Sequence, residues 1–347
     1  MSPMPAAVYH APHDVRVELV PVPEVGPTDL LVEVAWCGVC GSDLHTILEG
    51  WGKPGTIGGH EWSGTVAVVG SDVSGWSVGD QVIGGPPPTC GVCDPCEAGR
   101  PSLCVARPTP GTALYRGAFA RYKLIDVSEA VRIPAGLPVR AAALTEPLAV
   151  ALHALTRSGV EPGHRVFVSG AGPIGALVIA ALRAKGVDDI VVSEPTEVRR
   201  DLATRLGATE VMTPDELEVP SMADPMRLPD TPAHVAFECS GRAVAMEAAL
   251  AQVGKGGTLV LVGAGIEAPR LDPNRILLNE LVVTGAYEYD ATGFDDALAL
   301  LGAGAVPVDD LVEPEDVPLT GLLEACEAMA RGEIAAKVLI NPRGVPE

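Results

Sequence analysis

The sequence predicts an α/β protein in two parts, a small β-barrel-like domain and a doubly wound parallel sheet. Two patterns and one motif carry that expectation. To about residue 150 the chain is rich in Val, Gly and Pro, with short alternating runs. Beyond Glu161-Pro162-Gly163, apolar strands alternate with helical periodicity, as parallel βαβ units require. A glycine-rich turn opens this second part. With 347 residues, two cores of ordinary size are affordable.

Taken in order, residues 30–35 and 65–69 alternate between Gly and Pro boundaries and predict strands. Residues 165–169 predict a buried strand. The helix after it sets Ile174, Leu177, Val178, Ala181 and Leu182 three and four apart on one face. Residues 189–193 predict the next strand, followed by a helix from about Glu197 that stops at a Gly207 cap. Pro214, Pro220, Pro225, Pro229 and Pro232 leave room for a loop with at most a short helix. Strands follow at 234–238, 258–262 and 281–285. Two amphipathic helices come next, one carrying Phe294, Ala297, Leu298 and Leu301, the other Leu322, Leu323, Cys326 and Met329. The last strand is expected at 337–340. This tail is too short for a domain and is expected to fold back onto the first one.

The 24 Lys and Arg stand against 45 Asp and Glu, a net charge of −21, which argues against nucleic acid and anionic membrane as partners. No run approaches the roughly 18 apolar residues of a membrane span. Residues 1–10 carry neither a basic nor an apolar leader pattern, so a cytoplasmic location is expected. Four of the eight cysteines cluster, and in a reducing compartment that favours metal over disulfides.

Cys90, Cys93, Cys96 and Cys104 follow C-x2-C-x2-C-x7-C. Four thiolates can close a tetrahedron around zinc and leave no open position, so the expected site is structural. Gly170, Gly172, Pro173, Ile174 and Gly175 lie in a G-x-G-x-x-G turn between strand and helix, where a helix N-terminus receives a pyrophosphate. Glu194 ends the next strand, nineteen residues after Gly175. A carboxylate there accepts from the adenosine ribose and repels a 2′-phosphate, favouring NAD over NADP. Arg199 is placed to pack on the adenine; Arg199 and Arg200 both turned toward the ribose would favour NADP. Two further motifs, Cys37 to His45 and Gly59-His60-Glu61, offer a mixed thiolate, imidazole and carboxylate set that suits zinc with one position open.

With these four motifs in this order, nearly the whole chain resembles the medium-chain, zinc-dependent dehydrogenase/reductase family, in particular its polyol (sorbitol), butanediol and threonine dehydrogenase branch. The resemblance implies a GroES-like β-barrel catalytic domain (residues 1–149 and 287–347, with a zinc lobe at about 86–106) interrupted by a Rossmann domain (150–286). It implies two Zn2+ per chain, one catalytic and one structural. Cys40 and His60 match the first two ligands of the catalytic zinc. Glu61 matches the adjoining carboxylate, and Glu146 in Thr145-Glu146-Pro147-Leu148 the third or exchanging ligand. Ser42 matches the hydroxyl that takes the alcohol proton, His45 the later relay, and Asp43 the carboxylate that orients the metal-bound histidine. Cys239 and Ser240, with Gly241, match the segment lining the nicotinamide side, and Val262 lies at the end of the neighbouring strand. The implied reaction is hydride transfer between a secondary alcohol and NAD, the alcohol being a polyol, diol, amino-polyol or cyclitol, or hydroxy-amino acid. A homo-oligomer, dimer or tetramer, is implied, paired through the sheet edge near 281–285.

One departure stands out. Glu288 in Gly285-Ala286-Tyr287-Glu288-Tyr289 occupies the place of an arginine near the substrate in sorbitol-type members. It admits two readings: a carboxylate facing an amine-bearing substrate, or a solvated or helix-capping group. Trp51, Tyr115 and Phe119 are candidates either for an apolar pocket wall or for core. His153 is expected to be a satisfied helix residue, and Cys37 and Cys326 to be core. The competing activities are a zinc-free NADPH quinone or enone reductase and a non-catalytic dinucleotide-binding protein. Retention of Cys40, His60, Glu61 and Glu146 counts against the first, and Ser42 with His45 against the second.

Overall fold

The computed structural model describes residues 2–107, 116–221 and 223–343. Its first sheet has Asp29–Gly38 at the centre, where seven of the ten residues are buried. Glu61–Val69 and Tyr122–Asp126 pair with that strand antiparallel, and Gln81–Gly84 and Ala130–Arg132 extend the sheet beyond Glu61–Val69. The chain end returns here: Leu339–Asn341 pairs with Asp29–Gly38, Ile340 facing Cys37. A hairpin of Met4–Ala11 and Asp14–Val20 lies apart.

The second sheet has six parallel strands. Their order is Glu210–Met212, Asp189–Ser193, Arg165–Ser169, Ala233–Glu238, Val253–Leu261 and Val282–Gly285. That is the doubly wound order 3-2-1-4-5-6, and ligands bind such sheets at the carboxyl ends where the order reverses. The reversal falls between Arg165–Ser169 and Ala233–Glu238, which puts Ser169 and Glu238 at the mouth of the crevice.

Helix Pro173–Ala184 differs from the amphipathic expectation. Gly175 to Leu182 are all buried, and Ile174 is the half-buried one among the five residues of the expected face. The helix is covered on both sides, by the sheet and by Thr145–Ser158. Among its described residues the proline-rich stretch holds only the short turn Pro214–Glu216. Strand Glu210–Met212 was not predicted, and Val253–Leu261 begins five residues earlier than predicted. Three residues give too short a pattern to read, and Gly254, Gly256 and Gly257 hide the β signal of the longer strand. Helices Gly293–Gly302 and Leu322–Arg331 bury the residues that the periodicity selected, apart from half-buried Leu323.

Candidate active site

Strand register assembles the metal donors. Gly38 pairs with Glu61 and Cys37 with Trp62, so Cys40, two residues past its strand, meets His60 and Glu61 at the start of theirs. One donor atom from each of Cys40, His60 and Glu61 lies within 4.8 Å of the others. Gly38 must be glycine for this, since a Cβ there would lie 2.2 Å from Glu61 Oε2. Glu61 is 1 % exposed. Its Oε1 accepts from Lys337 Nζ at 2.7 Å, while Oε2 is buried without a hydrogen bond among the described residues. Lys337 Nζ also donates to Val39 O at 3.1 Å. Burial works to lower the Lys337 pKa, but the charges of Glu61, Cys40 and Glu146 outweigh it and hold the ammonium above its usual range. Lys337 was not singled out in the sequence, because only the antiparallel return of the last strand brings it here.

A thiol, an imidazole and a buried carboxylate with an orphaned oxygen fit a zinc ion in donor chemistry and in spacing. Asp43 stands behind them. Its Oδ2 accepts from Cys40 N at 2.9 Å, closing the first turn of Gly41–Leu48. Burial raises its pKa, and the nearby His60 and the Cys40 N–H work against that. Glu146, in the first turn of Thr145–Ser158, stands outside the tight donor cluster. Burial pushes its pKa up to about 7, His60 pulling it down and Glu61 pushing it further up. The folded metal-free protein therefore holds a proton on Glu146 that the unfolded chain has released. Its stability is expected to fall as pH rises from about 4.5 to about 7, and Glu146→Gln to flatten that slope. Thermal unfolding of the chelator-treated protein across this range checks both.

Ser42 and His45 share a helix face one turn apart, Ser42 exposed and His45 half-buried. His45 Nδ1 pairs with Glu49 Oε2 at 2.6 Å, and Nε2 with Ala264 O at 3.2 Å, on the loop past the fifth parallel strand. The His45 ring stacks on Trp51 at 4.6 Å. Trp51 is 55 % exposed and is a cover for His45 rather than core. Phe119 is core, packed under Gly58 and Gly59; Tyr115 lies outside the described residues. His153 is satisfied by Asp290 at 2.7 Å, and Cys37 and Cys326 are buried as expected.

At the crevice, Gly170 has φ +89, and a Cβ on Gly175 would lie 2.0 Å from Gly170 O, so the turn and the helix close on each other only as glycines. Gly172 is the N-cap of Pro173–Ala184, and Pro173 fits the first turn. A side chain at Gly172 would fill the space in front of the helix end, an opening that suits a pyrophosphate. Glu194 is buried, with Oε2 accepting from Ala171 N at 2.8 Å and Oε1 from Thr196 N at 2.9 Å. It thereby braces the glycine loop. Arg199 does not lie free for an adenine; two of its nitrogens hold Ile334 O and Met329 O, each at 2.9 Å. Arg200 Nη1 holds Glu194 O and Pro195 O at 2.9 and 2.6 Å.

On the other side, Cys239 N donates to Ser169 O at 2.8 Å, and its side chain packs against Gly175. Ser240 N and Gly241 N donate to Glu238, a fully buried carboxylate that holds this turn and that the sequence did not single out. Val262 N donates to Glu238 O at 2.8 Å, and Gly263 and Gly265 press backbone to backbone on Gly241. Ala264, which touches His45, belongs to that same loop.

Cys90, Cys93, Cys96 and Cys104 bring their sulfurs within 4.8 Å of one another. The Cys93–Cys96 and Cys90–Cys104 contacts are 3.4 and 3.6 Å, far beyond a disulfide and close to the ~3.8 Å of a tetrahedral zinc–thiolate site. Backbone N–H groups of Cys90 and Ala106 hold the Cys104 thiol well below its usual range. Just past this lobe Arg107, its side chain 9 % exposed, pairs with Glu288, and its Nη2 reaches Tyr289 Oη at 3.4 Å. Glu288 is thus a half-buried, paired carboxylate rather than a helix cap or a charge free to face an amine. It sits at φ +59, and Arg107 neutralises it. Separation in sequence hid that partner.

Residues 26–135 match the alcohol dehydrogenase GroES-like domain family, and residues 173–303 the zinc-binding dehydrogenase family. The chain is 34 % identical to sorbitol dehydrogenase of Bacillus subtilis, over 89 % of each sequence. It is 33 % identical to a D-xylulose reductase A of Aspergillus clavatus, over 91 % of this chain and 89 % of that one. Among solved structures, the 2R,3R-butanediol dehydrogenase of Bacillus subtilis superposes with a TM-score of 0.85 at 31 % identity, covering 98 % of this chain and 99 % of that one. A zinc-binding dehydrogenase of Sinorhizobium meliloti solved with NADP matches with a TM-score of 0.85 at 31 % identity, over 99 % and 100 %. Site geometry, fold and relatives agree, and the chain belongs to the zinc-dependent medium-chain dehydrogenases, oxidoreductases that act on CH–OH groups.

Proposed function

We propose that this chain interconverts a secondary alcohol and its ketone, the substrate being a neutral polyol or vicinal diol and NAD the hydride acceptor. The donor cluster of Cys40, His60 and Glu61 carries the proposal, because its Cys40 caps the short helix that bears Ser42 and His45. Cys40 and His60 hold a catalytic zinc, with Glu61 and Glu146 as the carboxylates that can complete or exchange in its shell; Cys90, Cys93, Cys96 and Cys104 hold a structural one. Zinc supplies positive charge that eases ionisation of the alcohol, and the dinucleotide supplies the hydride acceptor. Ser42 takes the alcohol proton, and His45 passes it toward exposed Glu49. Asp43 orients His60, and Lys337 limits how far Glu61 can move. Arg107 compensates Glu288, so this carboxylate offers no unpaired charge to attract an ammonium, which favours a neutral substrate.

Glu194 at the end of its strand supports NAD. A second reading, NADP, has two observations in its favour: the Arg200 guanidinium lies on the same turn, and the Sinorhizobium meliloti relative was solved with NADP. The relative strength of kcat/KM with each cofactor decides between them. A cytoplasmic homo-oligomer belongs to the same proposal, with Val282–Gly285 at the sheet edge as the pairing strand and Val282 half exposed.

Zinc content of the purified protein, with NAD reduction over sorbitol, xylitol, 2,3-butanediol, threonine and amino-polyols, tests the reading. Two zincs per chain with turnover on a polyol or diol are expected. At most one zinc, with no secondary alcohol turned over, would reject it.

A further inference from the structure

The four-cysteine lobe has almost no interior of its own. Of residues 86–107 only Ser102 and Cys104 are buried, and Val92 and Val105 stand 76 and 79 % exposed. Four thiolates and a metal can close such a lobe, but apolar packing does little to fasten it to the rest of the chain. Arg107 supplies a fastening. Inside the lobe its Nη1 donates to Ser102 O and its backbone N to Cys104 O, each at 3.3 Å. The residue just before it, Ala106, gives the N–H that holds the Cys104 thiol.

The same guanidinium also reaches out of the lobe. It pairs with Glu288, and Nη2 meets Tyr289 Oη at 3.4 Å. The Arg107 side chain is 9 % exposed and that of Glu288 24 %, so solvent and salt screen the pair little. Glu288 sits at φ +59, a conformation that a non-glycine residue keeps only where its surroundings over-determine it. Tyr289 is buried and meets Phe294 edge to face at 4.8 Å. Among the described residues no other side chain bonds both to the lobe and to this turn.

The turn stands beside the metal donors. Burial raises the pKa of the Tyr289 hydroxyl, and the charges of Glu146 and Glu288 push it further the same way. Burial and Glu288 do the same at Tyr287, where Arg107 and His60 pull it back. Glu146 and His60 are thus within electrostatic reach of residues 287–289. Tyr287, 57 % exposed, is the member of the turn open to solvent.

We propose that Arg107 is a positioning residue: it fastens the turn Tyr287-Glu288-Tyr289, beside the catalytic metal donors, to the four-cysteine lobe, so that occupancy of the lobe by metal sets the affinity for the alcohol. Such coupling is reciprocal, so disturbing the turn must loosen the lobe's hold on its metal. The first half rests on the alcohol chemistry proposed above; the second needs only the lobe and its metal.

The test uses the full-length protein loaded with zinc, as Arg107→Met, Arg107→Lys, Glu288→Gln and the double variant Arg107→Met, Glu288→Gln. Steady-state kinetics on whichever of sorbitol, xylitol and 2,3-butanediol the wild type oxidises would separate KM from kcat, with NADH titration beside it. Arg107→Met is expected to raise KM about tenfold, as for loss of a charged hydrogen bond, and to leave kcat and NADH affinity within about threefold. Arg107→Lys lacks the planar fork and should recover only part of that loss. The double variant should lose no more than the worse single one, because both changes break one contact. Release of zinc to a chromogenic chelator would be followed in the His60→Ala background, where the lobe holds the only zinc. There Glu288→Gln is expected to speed release about fivefold or more. Unchanged release would overturn the proposal, as would additive rises in KM or a lower melting temperature with KM unchanged. If the wild type oxidises none of the three alcohols, the alcohol chemistry fails instead, and zinc release alone decides whether Arg107 links turn and lobe.

Discussion

Replacing His60 by alanine is expected to lower kcat/KM by about a thousandfold or more and to reduce zinc from two per chain to one. His60 offers the only imidazole in the donor cluster with Cys40 and Glu61. Without it a thiolate and a lysine-bound carboxylate remain, too few donors to hold zinc in an open site. The charge that eases alcohol ionisation goes with the metal; a loss of about 4 kcal/mol in transition-state stabilisation is roughly a thousandfold in rate. The four-cysteine lobe lies elsewhere in the chain and should keep its zinc, and NADH affinity should change little, because the glycine turn and Glu194 are untouched. Metal analysis, NADH titration and steady-state kinetics on one preparation check the three parts together. Turnover within tenfold of the wild type would reject metal-assisted chemistry at this site and favour a zinc-free reductase.

The second large effect is on stability. Lys337→Met leaves the Glu61 carboxylate, 1 % exposed, without its partner in the interior. Removing one member of a buried ion pair costs about 3–5 kcal/mol, since the remaining charge keeps its desolvation penalty and loses its compensation. Most of that loss should return in the double variant Lys337→Met, Glu61→Gln, which removes the orphaned charge. Zinc should also reduce it, because a freed Glu61 can turn to the metal. Denaturant unfolding of the single and double variants, with and without zinc, gives the cycle. A loss under about 1 kcal/mol in the metal-free single variant would show that Glu61 is not charged in the folded state.

Much of this protein is written in local patterns. The glycine turn, the four-cysteine spacing and the Cys40 and His60-Glu61 motifs are short, and the residues that matter are neighbours in sequence. The strands at 165–169 and 189–193 and the helices around Phe294 and Leu322 follow from burial on one face or between layers, which leaves a periodic trace. Reading failed where the trace was short or diluted, as at Glu210–Met212 and at the glycine-rich start of Val253–Leu261. It failed also for Pro173–Ala184, where one apolar face is expected and Gly175 to Leu182 are buried all round. A periodic stripe reports one buried face and says nothing of a second layer above it.

The partners of the site's charges were not legible at all. Lys337 meets Glu61 across 276 positions, Arg107 meets Glu288 across 181, and Arg199 reaches Ile334 across 135. The sequence by itself determined the two-part α/β architecture, the dinucleotide turn and the sets of residues able to bind metal, because backbone geometry and ligand chemistry act over a few residues. Only the tertiary structure decided which charges those residues face. Burial strengthens a charge's interactions and forces it to find a partner, and strand pairing and lobe contact choose that partner irrespective of separation along the chain.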